Sequence, residues 1–217
     1  MEIRAIAEDP APWPKSIDEL TMNFLKQAMD SSWEEDFFRE MQKAEQEGYG
    51  AAFTASGGDF GIMEARQKLS IPCVGMSWAN FKKAIELGGK FSILHNHGPA
   101  TLPFSAHLAE RYGFSANVVS VEEFKVDVYA LAAREEKADI GQWTEIAMPL
   151  VKKCVNNGAK AFVIPCGSPD LSEFAAELNK VTMEKYGFPV LPPIDTVVNV
   201  AREFIQKKRK MKELRGD

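Results

Sequence analysis

Gly48-Tyr49-Gly50-Ala51-Ala52-Phe53-Thr54-Ala55-Ser56-Gly57 and Gly158-Ala159-Lys160-Ala161-Phe162-Val163-Ile164-Pro165-Cys166-Gly167 follow one pattern twice, 110 residues apart. In each copy a glycine ends a helix, a short apolar run reads as a buried strand, and a small nucleophilic side chain and a glycine follow. The nucleophile is Ser56 in the first copy and Cys166 in the second. A second echo comes after each: Ile71-Pro72-Cys73-Val74-Gly75-Met76 and Phe188-Pro189-Val190-Leu191-Pro192-Pro193. Two lobes that each present a Ser or Cys at a strand end imply one site built between them.

Outward from these segments, strands and helices alternate. Residues 2–7 alternate apolar and polar as a strand does, and a Pro-rich loop (Pro10, Pro12, Pro14) follows. Ser16 and Glu19 form a capping box that opens a helix. A helix from Trp33 to Glu47 stops at Gly48, then come strand 51–55, the Ser56-Gly57-Gly58-Asp59 turn, a helix near 61–69, strand 72–76 and a helix from Trp78 to Leu87. The pattern restarts at Gly88-Gly89, with strand 90–96, helix 102–112 stopped by Gly113, strand 116–121, helix 143–156, strand 161–165, helix 171–185, strand 188–191 and a last helix 196–212. This order predicts an α/β fold of two pseudo-symmetric lobes with largely parallel sheets flanked by helices and right-handed crossovers. The expected division is a shortened first lobe (1–88), a second lobe (89–190), and a final connection and helix (191–217) packing back on the first. The second half holds one strand–helix unit more than the first, so the first lobe lacks an opening unit or the chain as given begins after it.

Composition narrows the function. With 217 residues, 45% hydrophobic and 26% charged, the chain reads as a globular protein with a real core. A net charge of −5 argues against a nucleic-acid binder. No apolar run approaches the roughly 18 residues that cross a membrane. The acidic start, MEIRAIAEDP, is not expected to be a signal peptide. Lys207-Lys208-Arg209-Lys210 closes the last helix and complements its dipole. Cys73, Cys154 and Cys166 form neither a CxxC pair nor a metal spacing, which fits reduced thiols in a cytoplasmic protein.

Parallel α/β sheets collect ligands beyond the carboxyl ends of their strands, where this reading puts Ser56, Cys166, Met76 and His95-Asn96-His97. Cys166 is the expected acid/base, its pKa lowered by amides of the Gly167-Ser168 turn. Ser56 with the Gly57 and Gly58 amides is expected to cradle a carboxylate or enolate oxygen, with Thr54 assisting. His95, Asn96 and His97 either bind substrate or simply end the strand, and His95 or His97 is also a candidate partner base for Ser56. Asp59 and Asp195 tune the site or cap helices, capping being the commoner use. Cys73 and Cys154 read as buried structural residues. No carboxylate or third histidine stands at ligand spacing from the histidine pair, so no metal and no cofactor are expected.

These residues resemble the aspartate/glutamate racemase superfamily, and within it the hydantoin racemase branch. The resemblance runs from about Gly48 to the C-terminal helix. It is carried by Ser56-Gly57-Gly58-Asp59-Phe60-Gly61-Ile62 with Ala65-Arg66, by Ile71–Met76, by Gly89-Lys90-Phe91-Ser92-Ile93-Leu94, by Ala161–Gly167 and by Gly187-Phe188-Pro189-Val190. It departs in three places: Ser56 stands where the family has its first catalytic cysteine, the opening Asn-Pro-Asn-Thr type loop is absent, and His95-Asn96-His97 replaces a threonine-rich strand end. The resemblance implies the scaffold, a small carboxylate or amino-acid-like substrate, and relatives that associate into homo-oligomers.

Three functions follow. The first is a cofactor-independent racemase or epimerase of an amino acid or a derivative such as a hydantoin, working through Cys166. The second is a one-cysteine enzyme resembling arylmalonate decarboxylase, in which the Ser56 turn holds an enediolate and a single thiol protonates one face. The third is a non-catalytic small-ligand binder on the same scaffold. Maleate-isomerase chemistry, which needs a nucleophilic cysteine at the first position, is disfavoured by Ser56.

Overall fold

The structure, a computed structural model, describes residues 32–96, 102–126 and 137–215. The strand expected at 2–7, the Ser16–Glu19 capping box and His97 lie outside the described residues. Helix α1 (Ser32–Gln46) leads to strand β1 (Ala52–Phe53), α2 (Ile62–Lys68), β2 (Cys73–Val74) and α3 (Met76–Gly88). Then follow β3 (Phe91–His95), α4 (Leu102–Arg111), β4 (Val118–Glu123), α5 (Ile140–Asn156), β5 (Phe162–Val163), α6 (Pro169–Tyr186), β6 (Val190–Leu191) and α7 (Pro193–Arg215). Among the described residues the strands form a two-stranded sheet, β1-β2, and a four-stranded sheet in the order β4-β3-β5-β6. Every pairing is parallel. The expected α/β fold with parallel sheets flanked by helices is the one observed.

Both faces of the larger sheet are covered, so β3 and β5 are buried along their whole length. Leu94, Phe162 and Ile164 pack with Trp143, Val151, Phe174 and Leu178 on the α5–α6 side. Phe91, Ile93 and Val163 pack with Phe81 and Leu108 on the α3–α4 side. Helix α7 lies on the smaller sheet, where Val197, Val200 and Ala201 meet Val74, Met76 and Ala79. Buried Asn80 ties α3 to the start of α7 by donating to the carbonyls of Met76 (2.9 Å) and Pro193 (3.1 Å).

The sequence repeat is a structural repeat down to single hydrogen bonds. Gly48 and Gly158 both take left-handed backbone, φ 82° and 97°, which a side chain would resist. The Gly48 N–H bonds the Glu45 carbonyl and the Tyr49 N–H bonds that of Ala44; Gly158 to Val155 and Ala159 to Cys154 repeat both bonds 110 residues later. Each helix thus ends in the same C-terminal motif. The strands then open alike, with Ala52 N–H on the Pro72 carbonyl and Phe162 N–H on that of Pro189, both 2.9 Å.

Several boundaries differ from expectation. The strands β1, β2 and β5 are shorter than the apolar runs that hold them, although the Thr54 N–H still bonds the Val74 carbonyl at 3.1 Å just past β1. Helix α3 begins at Met76, earlier than Trp78, because its N-terminus is capped from a distant turn, described below. Met76 is therefore a fully buried core residue, and not a strand-end residue of the site. Helix α7 continues past the basic cluster to Arg215, and Lys208 within it donates to the Ser70 carbonyl at 2.6 Å.

The two copies meet tip to tip. A Cβ on Gly57 would lie 2.0 Å from the Pro165 carbonyl oxygen, and one on Gly167 would lie 2.3 Å from the Ala55 carbonyl oxygen. Ala55 and Gly57 correspond to Pro165 and Gly167 at the repeat offset, so the contact is reciprocal, as across a two-fold axis. Gly57→Ala or Gly167→Ala drives a methyl into backbone that no rotamer change can move. Either is expected to cost about 2–3 kcal/mol and lower the melting temperature by about 5–10 °C. Gly141→Ala, in the first turn of α5, has room and is expected not to lower it. Differential scanning calorimetry of the three variants checks the contrast.

Candidate active site

Beyond β1 the chain makes the Ser56-Gly57-Gly58-Asp59 turn. The Ser56 Oγ accepts the Gly58 N–H at 3.2 Å, a serine turn that orients the hydroxyl. The Ser77 hydroxyl donates to the Gly57 carbonyl at 2.7 Å. Thr54 is buried, and its hydroxyl accepts the Met76 N–H at 3.4 Å and donates to Asp59 Oδ1 at 3.5 Å. Its oxygen is committed to the start of α3.

Asp59 is the anchor of this turn. It is buried, with left-handed backbone (φ 49°) that Asp tolerates better than most residues. Its Oδ1 accepts the Ser77 N–H and its Oδ2 the Trp78 N–H, both at 2.9 Å. The carboxylate therefore caps α3 from another part of the chain, and the helix dipole favours its charge. The Tyr112 hydroxyl, just past the end of α4, donates to Oδ2 at 2.9 Å. Gly75 makes the approach possible, since a Cβ there would lie 2.3 Å from the Asp59 Cγ. Arg66 completes the cluster: its Nε donates to the Cys73 carbonyl at 2.9 Å and its guanidinium lies 4.4 Å from the Trp78 ring centre and 5.9 Å from that of Tyr112.

The second turn follows β5. The Ser168 Oγ accepts the Leu171 N–H at 3.3 Å and so caps α6. Burial pushes the Cys166 thiol above the ordinary cysteine range, against the N–H and hydroxyl of Ser168 and the N–H of Gly167, which favour the thiolate. The expected lowering by these amides is present, but desolvation outweighs it. Cys166 is a protonated thiol at neutral pH with donors already in place for the anion. Cys73, in β2, is pushed up to about 11 by burial, and its Sγ lies 3.5 Å from the Ile71 carbonyl. Cys154 is buried on α5 with its Sγ 3.5 Å from the Ser120 hydroxyl.

The reciprocal contact of Gly57 and Gly167 brings the Ser56 and Cys166 turns together. Asn96 directly follows β3, which pairs with β5 through Ser92↔Phe162 and Ile93↔Val163. It is buried, and its Nδ2 has no hydrogen-bond partner. His95 is buried on the strand face shared by Phe91 and Ile93. Asp195 lies exposed in the first turn of α7. Among the described residues no group of three His, Cys, Asp or Glu side chains is arranged to hold a metal ion. No helix among them is long and apolar enough to cross a membrane. Sequence reasoning did not find Ser77, Tyr112 or Arg66 as partners of the turn. The pairing of Asp59 with Gly75 was the available signal, while nothing local marks Tyr112.

Fold and turns together define a class, α/β proteins with two parallel sheets whose strand-end turns meet. The profile of the Asp/Glu/Hydantoin racemase family matches residues 11–201, and the chain belongs to that family. Among solved structures it is similar to allantoin racemase from Klebsiella pneumoniae (22% identity, TM-score 0.64, 79% of this chain and 65% of that one). It is also similar to allantoin racemase from Pseudomonas fluorescens (19%, TM-score 0.61, 74% and 63%) and to an unliganded arylmalonate decarboxylase (11%, TM-score 0.60, 81% and 76%). The chain thus spans slightly less than two thirds of either allantoin racemase. No curated protein matches it in sequence. At these identities the structural likeness speaks for the fold.

Burial pushes the Asp59 carboxyl up from 3.8 to about 6, against the donors Trp78, Ser77 and Tyr112 and the charge of Arg66. A carboxyl raised in the folded state adds stability that is complete below its unfolded value and lost as pH rises through the folded one. Asp59 should therefore make the protein less stable between about pH 4 and pH 6, by on the order of 3 kcal/mol, with no further change above. Urea unfolding across this window, compared with Asp59→Asn, checks it: the variant should lack that part of the slope.

Proposed function

We propose that this chain is a cofactor-independent racemase or epimerase acting on an amino acid or a cyclic derivative, by proton transfer through Cys166 at a site between its two lobes. The observation that supports this most is the reciprocal contact of Gly57 and Gly167, which sets Ser56 and Cys166 at equivalent positions about one local two-fold. Racemisation needs a donor on one face of a carbon acid and an acceptor on the other, and a two-fold arrangement of nucleophiles supplies two faces. The protonated Cys166 gives a proton to one face, and Ser56 activated by a partner base, or a second group on the opposite face, takes the substrate proton off. In the Ser56 turn the Gly57 amide holds the oxygen on which negative charge develops, while the Gly58 amide orients the Ser56 hydroxyl beside it.

A hydantoin of the allantoin type suits this site better than a free amino acid. Its ring carbon is flanked by a carbonyl that delocalises the carbanion, so a weaker base suffices. A serine hydroxyl is a weak base until a partner activates it, and the two allantoin racemases are similar in fold. The reading includes a cytoplasmic homo-oligomer, and a monomer by light scattering would count against the latter. A second reading, one-sided protonation after loss of carbon dioxide, is favoured by the single thiol in these turns and its protonated state.

In deuterium oxide, the protein is expected to incorporate deuterium at the stereocentre of allantoin or a 5-substituted hydantoin. Cys166→Ala should lower exchange by about 10²–10⁴-fold. Absence of exchange across hydantoins and amino acids would sink the racemase reading, and an enantiopure product with release of carbon dioxide from an arylmalonate would establish the second. Ser56→Cys supplies a more readily ionised group on the other face and should raise two-sided exchange. Proton NMR and chiral chromatography read each outcome.

A further inference from the structure

The Gly57–Gly58 peptide is held at both ends. Its carbonyl accepts the Ser77 hydroxyl at 2.7 Å, and its N–H donates to Ser56 Oγ at 3.2 Å. Two consecutive glycines give a turn little stiffness of its own, and a flip of this peptide would carry the N–H away from Ser56. Ser77 is almost fully buried (1% exposed) in the first turn of α3, where a serine hydroxyl usually caps its own helix. Here the cap is already made. Met76 N–H is taken by Thr54, and those of Ser77 and Trp78 by Asp59. The Ser77 hydroxyl is left to reach across to the turn, and the Asp59 bond to its N–H fixes the place from which it reaches.

We propose that Ser77 is a positioning residue of the site: its hydroxyl locks the Gly57–Gly58 peptide so that the Gly58 N–H stays on the side chain at position 56, setting that side chain's orientation and its readiness to carry negative charge. The functional meaning rests on the reading in which Ser56 faces substrate, while the lock itself does not.

Two measurements keep these apart. In the otherwise native protein, Ser77→Ala should raise the hydrogen-exchange rate of the Gly58 amide about tenfold by NMR, with the α6 amides unchanged. An unchanged Gly58 rate, or the same rise throughout the molecule, overturns the lock. In a Ser56→Cys background, iodoacetamide alkylation mapped by peptide mass spectrometry reads the introduced thiol and Cys166 together. Adding Ser77→Ala should slow alkylation at position 56 about tenfold at neutral pH and move its pH midpoint up, because the thiolate loses a donor, while Cys166 keeps its rate. Equal slowing at both thiols, or no slowing at position 56, overturns the proposal. If the thiol introduced by Ser56→Cys does not react while Cys166 does, the placement of Ser56 in the cleft fails, and Gly58 exchange still decides the lock. Should Ser77→Ala not fold, Ser77→Cys keeps the volume with a weaker donor, and a parental Gly58 exchange rate in that variant overturns the proposal.

Discussion

With the Pro165 carbonyl where a side chain of residue 57 would stand, and the Ala55 carbonyl where one of residue 167 would, the two turns approach only as bare backbone. That steric constraint governs the rest of the arrangement. A contact of this kind leaves no slack, since packed backbone cannot rotate away as a side chain can. The strands behind each turn, β1 and β5, must end at matching heights, and the helices behind them must end in matching motifs at Gly48 and Gly158. The repeat in sequence survives because its two copies form each other's surroundings.

Symmetry of scaffold makes the asymmetry of the side chains chemically meaningful. Cys166, half-buried, sits before a capped helix with amide and hydroxyl donors ready for an anion, and desolvation keeps the proton on the sulfur. Ser56 sits in the equivalent place, and its oxygen accepts the Gly58 N–H where Cys166 meets the equivalent Ser168 N–H, so the two sides differ in carrying a hydroxyl and a thiol. The same geometry thus presents a tuned acid on one side and an oriented hydroxyl on the other. Chemistry run through this pair treats the two faces of a substrate differently, unless another group makes Ser56 basic. That is why racemisation and one-sided protonation compete on one scaffold.

Elements whose signal is local were legible in the sequence. The Gly-apolar-nucleophile repeat, the helix-ending glycines and the alternation of strand and helix are set by residues within a few positions of one another, and they gave the α/β fold. Boundaries moved where a distant group took over: α3 starts at Met76 because Asp59 and Thr54 cap it from outside its own sequence. Thr54 shows the same limit within the turn, since strand alternation says which way a residue points but not that its hydroxyl is taken. Asp59 as a cap was legible in kind, and its helix was not. Tyr112 was invisible, because a tyrosine near the end of an amphipathic helix carries no mark of the carboxylate it meets. For Cys166 the amides were foreseen and their effect was outweighed, because desolvation depends on everything packed around the thiol.

Asp59 is also where the two sheets become one mechanical unit. Its carboxylate joins the Ser56 turn to the start of α3, and Tyr112, in the turn that follows α4 on the other sheet, donates to its Oδ2. Helix α3 in turn packs on α7 through Ala79 and Val197, and on β3 through Phe81 and Phe91. A shift of either sheet against the other therefore pulls on a buried group whose every bond is charge-assisted, and breaking one leaves part of a carboxylate unsolvated. Burying that charge costs stability, as its raised pKa records. What the cost secures is a fixed height for Gly57, held from below by α3 and met from above by Pro165. Gly57 rigid on both sides leaves the adjoining Ser56 little freedom except at its hydroxyl, the atom that the proposed chemistry uses.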